Sequence, residues 1–84
     1  MINVALLGFG RIGQMHAQNI YLNKTLNLLY VYEKIDKLRK KAKGLYNCKI
    51  EKDYKKIFSD EKVDIIFISS PTNTHIRFIE EGIK

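Results

Sequence analysis

Apolar and polar positions fall into blocks whose period changes along the chain. Ile2 to Leu7 is an almost unbroken apolar run, the pattern of a central parallel strand covered on both faces. Arg11 to about Leu22 reads as a helix, with Ile12, Met15, His16 and Ile20 on one side, and Asn23-Lys24-Thr25 breaks it. Leu28 to Tyr32 predicts a second strand, closed by Glu33. Lys34 to Lys43 predicts a second helix with Ile35, Leu38 and Ala42 facing inward and Gly44 at the position just past its end. Tyr46 to Ile50 predicts a short third strand. Asp53 stands as the N-cap of a brief helix that carries Tyr54, Ile57 and Phe58 inward. After the polar turn Asp60-Glu61-Lys62, Val63 to Ile68 is the most apolar strand candidate, ending at Ser69-Ser70. Pro71 to Thr74 is a turn, and Ile76, Ile79 and Ile83 mark one face of a last helix.

Between the first strand and the first helix the chain reads Gly8-Phe9-Gly10-Arg11-Ile12-Gly13, a G-x-G-x-x-G loop in the order a dinucleotide-binding turn requires. Gly8 permits the tight turn off the strand. Gly10 lets the backbone approach a pyrophosphate, and Gly13 lets the helix pack closely on the strand. Free N–H groups at the helix start and the helix dipole both favour the phosphate charge. The same fingerprint expects an acid about 20 residues further on at the end of the next strand, where Glu33 stands. Alternating strands and helices then predict an α/β fold: a Rossmann-type, doubly wound parallel sheet with right-handed crossovers. About four strands and four helices form one domain over residues 1–84. The Gly8–Gly13 loop, Glu33 and Ser69 to His75 converge on the carboxyl edge of that sheet, where such folds bind ligands.

Composition narrows the setting. Eighty-four residues make one small domain with marginal stability of its own. The single cysteine, Cys48, excludes an internal disulfide and fits a thiol in or beside a strand in a reducing compartment. No apolar run approaches a membrane span, and Met1 leads into a strand without a basic leader, so a cytoplasmic protein is expected. The net charge of +6 raises the question of nucleic-acid binding. The densest cations, Lys37, Arg39, Lys40, Lys41 and Lys43, alternate with Leu38 and Ala42 on a helix, the pattern of a solvated face, so no nucleic-acid partner is expected.

At Ser70-Pro71-Thr72-Asn73-Thr74-His75, taken with G-F-G-R-I-G-Q-M-H-A, the sequence resembles the nucleotide-binding half of the glucose–fructose oxidoreductase and inositol dehydrogenase family, Gfo/Idh/MocA. The resemblance covers essentially the whole chain. It implies an oxidoreductase that moves a hydride between NAD(P) and a polyol or sugar. By that resemblance Gly8, Gly10 and Gly13 match the phosphate loop, and Phe9, Arg11 and Ile12 fill its variable positions, where backbone amides bind. Glu33 matches the ribose-binding acid, where Asp is more usual. Ser70, Pro71, Thr72, Asn73 and His75 match a turn along the cofactor near the nicotinamide. The family continues into a Glu-Lys-Pro motif with a catalytic lysine and into a substrate domain, neither of which is in this sequence. The expectation is therefore a truncated N-terminal piece, inactive alone, with no catalytic residue of its own. Its substrate would be engaged through the missing domain, and homo-oligomers are compatible with the resemblance.

Glu33 also bears on cofactor choice. A carboxylate ~4 Å from a 2′-phosphate is repelled by about 4 kcal/mol at an effective dielectric of ~20, so NAD is expected over NADP, although Lys34 beside it offers a cation. Two readings of His75 stand, a contact at the substrate end of the cofactor and a bond to local backbone. Arg11 reads either as a phosphate neighbour or as a solvated side chain, and His16 as a packed histidine. His16 and His75 have no third partner at ligand spacing, so no metal site is expected. Ser69 and Ser70 lack the nucleophile elbow of a hydrolase. A non-catalytic nucleotide-binding module, or the remnant of a broken dehydrogenase frame, shares every feature of this sequence. An S-adenosylmethionine methyltransferase shares the glycine loop and the acid but not Gly13 with P-T-N-T-H.

Overall fold

The computed structural model describes residues 1–69. Seven elements follow in order: β1 (Ile2–Leu7), α1 (Arg11–Leu22), β2 (Leu26–Tyr32), α2 (Asp36–Tyr46), β3 (Lys49–Glu51), α3 (Tyr54–Phe58) and β4 (Ile65–Ile68). The strands form one parallel sheet in the order β3-β2-β1-β4. The chain steps outward from β1 to β3 and then returns to the other side of β1. The strand order thus reverses between β1 and β4, which is where sheets of this kind open a crevice at their carboxyl ends.

β1 is apolar on both faces because it is covered on both. Val4 and Leu6 join Ala17, Ile20, Leu28, Val31 and Ala42 in the core under α1 and α2. Ala5 and Leu7 join Tyr30, Tyr32, Tyr54 and Ile57 in the core under α3. The ladder between β1 and β2 pairs Val4 with Leu28 but Ala5 with Tyr30, so Leu29 is an extra residue in a bulge. At the amino end of the sheet the closure is polar. Asn3 N–H donates to the Asp64 carboxylate at 2.8 Å, and Asp64 N–H donates to the Asn3 carbonyl at 2.9 Å.

β1 and α1 have the predicted limits, and Asp53 caps α3 by accepting the Lys55 N–H at 3.0 Å. Other expectations are corrected. Gly44 does not end α2; the helix continues to Tyr46, and Asn47 takes the left-handed cap at φ 51°. Asparagine tolerates that conformation, and an exposed Gly44 does not stop a helix that Leu45 and Tyr46 extend. α2 begins at Asp36 rather than Lys34, because Glu33 holds the preceding turn. β2 starts two residues earlier than predicted, at Leu26. β3 is only Lys49–Glu51, and β4 begins at Ile65 because the Asn3 N–H goes to the Asp64 side chain instead of a backbone carbonyl. Ile12, Met15 and Ile35 are exposed; of the predicted apolar face of α1 Ile20 is buried, beside Gly13 and Ala17, which are small enough to bring the helix onto the sheet. The predicted last helix and the positions Ser70, Pro71, Thr72, Asn73 and His75 lie outside the described residues.

Candidate dinucleotide cradle

The loop after β1 is fixed from beneath before it reaches α1. Gly8 N–H extends the ladder to the Tyr32 carbonyl at 2.9 Å. Gly8 then takes φ 110°, a backbone conformation that a side chain would strain. This turns the Phe9 ring inward, where it is fully buried and meets Tyr46 edge to face, with centroids 6.4 Å apart. The first variable position of the loop is therefore a core anchor, a role the motif alone does not show.

Gly13 and Gly10 are glycines for different reasons. A Cβ on Gly13 would lie 2.2 Å from the Gly8 carbonyl oxygen, so helix and turn touch backbone to backbone. A Cβ on Gly10 would meet nothing within 4 Å, so packing within the chain does not require a glycine there. Gly10 is the N-cap of α1, makes no side-chain cap bond, and is followed by a first turn with no acid. The opening N–H groups of α1 thus lack both an intrahelical partner and a capping side chain, which leaves an electropositive end suited to an anion. Arg11 is exposed beside it.

Glu33 reaches this loop from the end of β2. Its Oε1 accepts the Phe9 N–H at 2.9 Å, and its Oε2 accepts the Ile35 N–H at 3.1 Å. An ionised carboxylate offers about four acceptor sites, so both oxygens can still accept from the hydroxyls of a ribose. Glu33 N–H is itself bonded to the Glu51 carbonyl at 3.1 Å, which ties the acid to the end of β3.

Several supports were not legible in the sequence. Gln14 donates to the Phe9 carbonyl at 3.2 Å and accepts from Lys41 Nζ at 2.9 Å, a relay from α2 through α1 to the loop. Arg39 donates to the backbone of the Glu33 turn. Ser69, which follows β4, donates its N–H to the Leu7 carbonyl at 2.8 Å. Its hydroxyl is buried, has no hydrogen-bond partner among the described residues, and lies 3.5 Å from where a Gly13 Cβ would be. An orphaned polar atom under the glycine loop suits a site that receives a polar group. The Gly8–Gly13 loop, Glu33 and Ser69 do converge at one edge, as the sequence predicts. His16 is half-buried and packs against Phe67 with the rings tilted and their centroids 4.6 Å apart, a packing role. No group of three or more potential metal ligands occurs among the described residues. An open groove of about 540 Å³ is lined only by residues of α1 and α2 and includes neither the glycines nor Glu33.

Sheet order, glycine geometry and the strand-end acid together define a dinucleotide-binding domain. Residues 2–84 match the Gfo/Idh/MocA oxidoreductase family, described as having an NAD-binding Rossmann fold, and the chain belongs to that family. The myo-inositol 2-dehydrogenase of Thermotoga maritima is 31% identical over 80 residues, which is 93% of this chain and 24% of that protein. A myo-inositol dehydrogenase structure from Corynebacterium glutamicum superposes with a TM-score of 0.90 at 29% identity, covering 99% of this chain and 25% of that one. The scyllo-inositol dehydrogenase of Lactobacillus casei, solved with NAD(H) and scyllo-inositol, gives a TM-score of 0.90 at 25% identity with the same coverage. The chain therefore spans about a quarter of the length of the relatives it matches.

Proposed function

We propose that this domain holds NAD(H), in preference to NADP(H), for an oxidoreductase that acts on a polyol or sugar of the inositol kind. The bound cofactor would supply the hydride chemistry. The chain's own residues bind and orient it. The N–H groups at the start of α1 receive the pyrophosphate, with Gly10 leaving room for its approach. Glu33 accepts from the adenosine ribose hydroxyls while it remains bonded to Phe9 and Ile35. Ser70, Pro71, Thr72, Asn73 and His75 are proposed to line the nicotinamide side. The substrate class rests on the inositol dehydrogenases among the relatives.

One observation carries the reading: an uncapped helix start, preceded by a glycine whose side-chain space is open, stands beside a strand-end carboxylate already bonded to the same loop. Family membership leaves NAD or NADP to the residues at the end of β2, and Glu33 would repel a 2′-phosphate. A reducing compartment such as the cytoplasm fits the lone, buried Cys48. Among the described residues no helix is long and apolar enough to cross a membrane. Calorimetric titration with NADH, NADPH and S-adenosylmethionine tests the proposal. NADH is expected to bind most tightly and S-adenosylmethionine not at all. A folded chain that ignores NADH would end the reading.

A further inference from the structure

An arginine just beyond the strand-end acid of a dinucleotide site is ordinarily credited with holding the 2′-phosphate of NADP. Arg39 has that address, one turn into α2, but its guanidinium is committed elsewhere. One terminal nitrogen donates to two carbonyls, that of Glu33 at 2.7 Å and that of Lys34 at 2.9 Å. The other donates to Asp36 Oδ1 at 2.9 Å. The side chain is only 13% exposed, while that of Asp36 is 63% exposed. Asp36 also pairs with Lys40 at 3.0 Å, and the two cations hold its carboxyl below the usual range, the Lys40 bond foremost.

The two carbonyls belong to the turn that aims Glu33. Ile35, at the start of α2, supplies no side-chain cap, so the side chains that hold the turn are Arg39, on its two carbonyls, and Glu33, on the Ile35 N–H. With them pinned, the Ile35 N–H points back to Glu33 Oε2 and leaves Oε1 on the Phe9 N–H. A planar fork can bridge two carbonyls and a carboxylate together; a lysine ammonium is a point charge and cannot reproduce that geometry.

We infer that Arg39 is a positioning residue for nicotinamide-cofactor selectivity: it fixes the Glu33 turn so that the carboxylate faces the ribose, and it does not bind a 2′-phosphate. This rests on the NAD reading above. Loosening the turn removes ribose bonds from NAD. It also lets the carboxylate move away from a 2′-phosphate, so NADP loses less.

The test is titration of the full chain and of Arg39→Gln and Arg39→Lys with NADH and with NADPH, folding being checked by circular dichroism. Arg39→Gln is expected to weaken NADH about tenfold and NADPH less than about twofold, narrowing the preference. Arg39→Lys is expected to resemble Arg39→Gln, because charge alone does not restore the fork. Should Arg39→Gln not fold, Asp36→Asn loosens the same fork from its exposed arm and is expected to narrow the preference in the same direction. Four results would overturn the inference with the NADH reading intact: equal losses for the two nucleotides in Arg39→Gln, a selective loss of NADPH, full rescue by lysine, or no narrowing in Asp36→Asn where that variant is used. A wild-type chain that binds neither nucleotide would remove the reading itself, and the inference with it.

Discussion

The Glu33 carboxylate and the Phe9 amide stand 24 residues apart in sequence and 2.9 Å apart in space, joined by a hydrogen bond. Through that bond the end of β2 holds the glycine loop of β1, so under the proposed function one side chain would both shape the phosphate cradle and face the sugar. Glu33→Ala should therefore affect stability and binding together. Loss of the two accepted bonds is expected to cost about 1–2 kcal/mol in urea unfolding. NADH affinity should fall at least about tenfold, and NADPH affinity by less. Equal losses for both nucleotides would show that Glu33 acts on the loop alone.

The two glycines on either side of the α1 start separate folding from binding. Gly13→Ala places a methyl 2.2 Å from a backbone oxygen that cannot yield, so a cost of about 3 kcal/mol is expected in thermal or urea melts. Gly10→Ala enters open space at an ordinary φ of −73°, so stability should change by no more than about 0.5 kcal/mol. In the proposed cradle its methyl would stand where the diphosphate approaches, and NADH affinity should fall about tenfold or more. An alanine at Gly10 that binds NADH as well as wild type would contradict the proposed cradle.

Away from the cradle, the Tyr30 hydroxyl donates to Asp60 Oδ2 at 2.6 Å. That bond, with burial and the nearby carboxylates, pushes the phenol up to about 12 and holds the Asp60 carboxyl below its ordinary value. The raised phenol stabilises the fold below its unfolded value near 10, and the contribution is lost as pH rises toward 12. The lowered carboxyl stabilises above its unfolded value of 3.8, and the contribution is lost as pH falls below it. Melting temperatures of wild type and Tyr30→Phe should differ by a constant amount between roughly pH 5 and 9 and converge at both extremes. A difference that ignores pH would show that the titrating bond to Asp60 is not what separates the two proteins.

Burial pushes the Cys48 thiol up, and its Sγ donates to the Ala42 carbonyl at 3.9 Å. Little thiolate should be present at neutral pH. Reaction with a chromogenic disulfide reagent at pH 8 should be at least about tenfold slower in the folded chain than in urea. Equal rates would mean that the strand edge beside Cys48 opens freely.

The features that were legible are those that depend on local pattern. The Ile2–Leu7 strand, the α1 limits, the Asp53 cap and the separate duties of Gly8 and Gly13 all follow from residue type and order. What was missed depends on long-range contact. Nothing local marks Phe9 as a core residue, since the motif treats its position as variable. Gly44 is a common helix terminator, yet Asn47 assumed that role three residues on. Ile12 and Met15 fit a helical stripe, but the close approach demanded by Gly13 and Ala17 turned the helix so that both face outward. Arg39 and Gln14 are ordinary polar residues in sequence; Lys41 reaches Gln14 only because α2 lies beside α1, and Arg39 finds its carbonyls only because the Glu33 turn folds back over the start of α2.

Leu29, the residue skipped by the ladder between β1 and β2, bears on how such chains tolerate change in length. The count from the last loop glycine to the acid includes one position that serves no pairing. A variant lacking Leu29 could keep Ala5 opposite Tyr30 and Leu7 opposite Tyr32, and so deliver the carboxylate to the same amide. In this chain the spacing from the glycine loop to the acid is therefore elastic by one residue on the β2 side, whereas the backbone-to-backbone contact of Gly8 and Gly13 leaves no slack for a deletion between them.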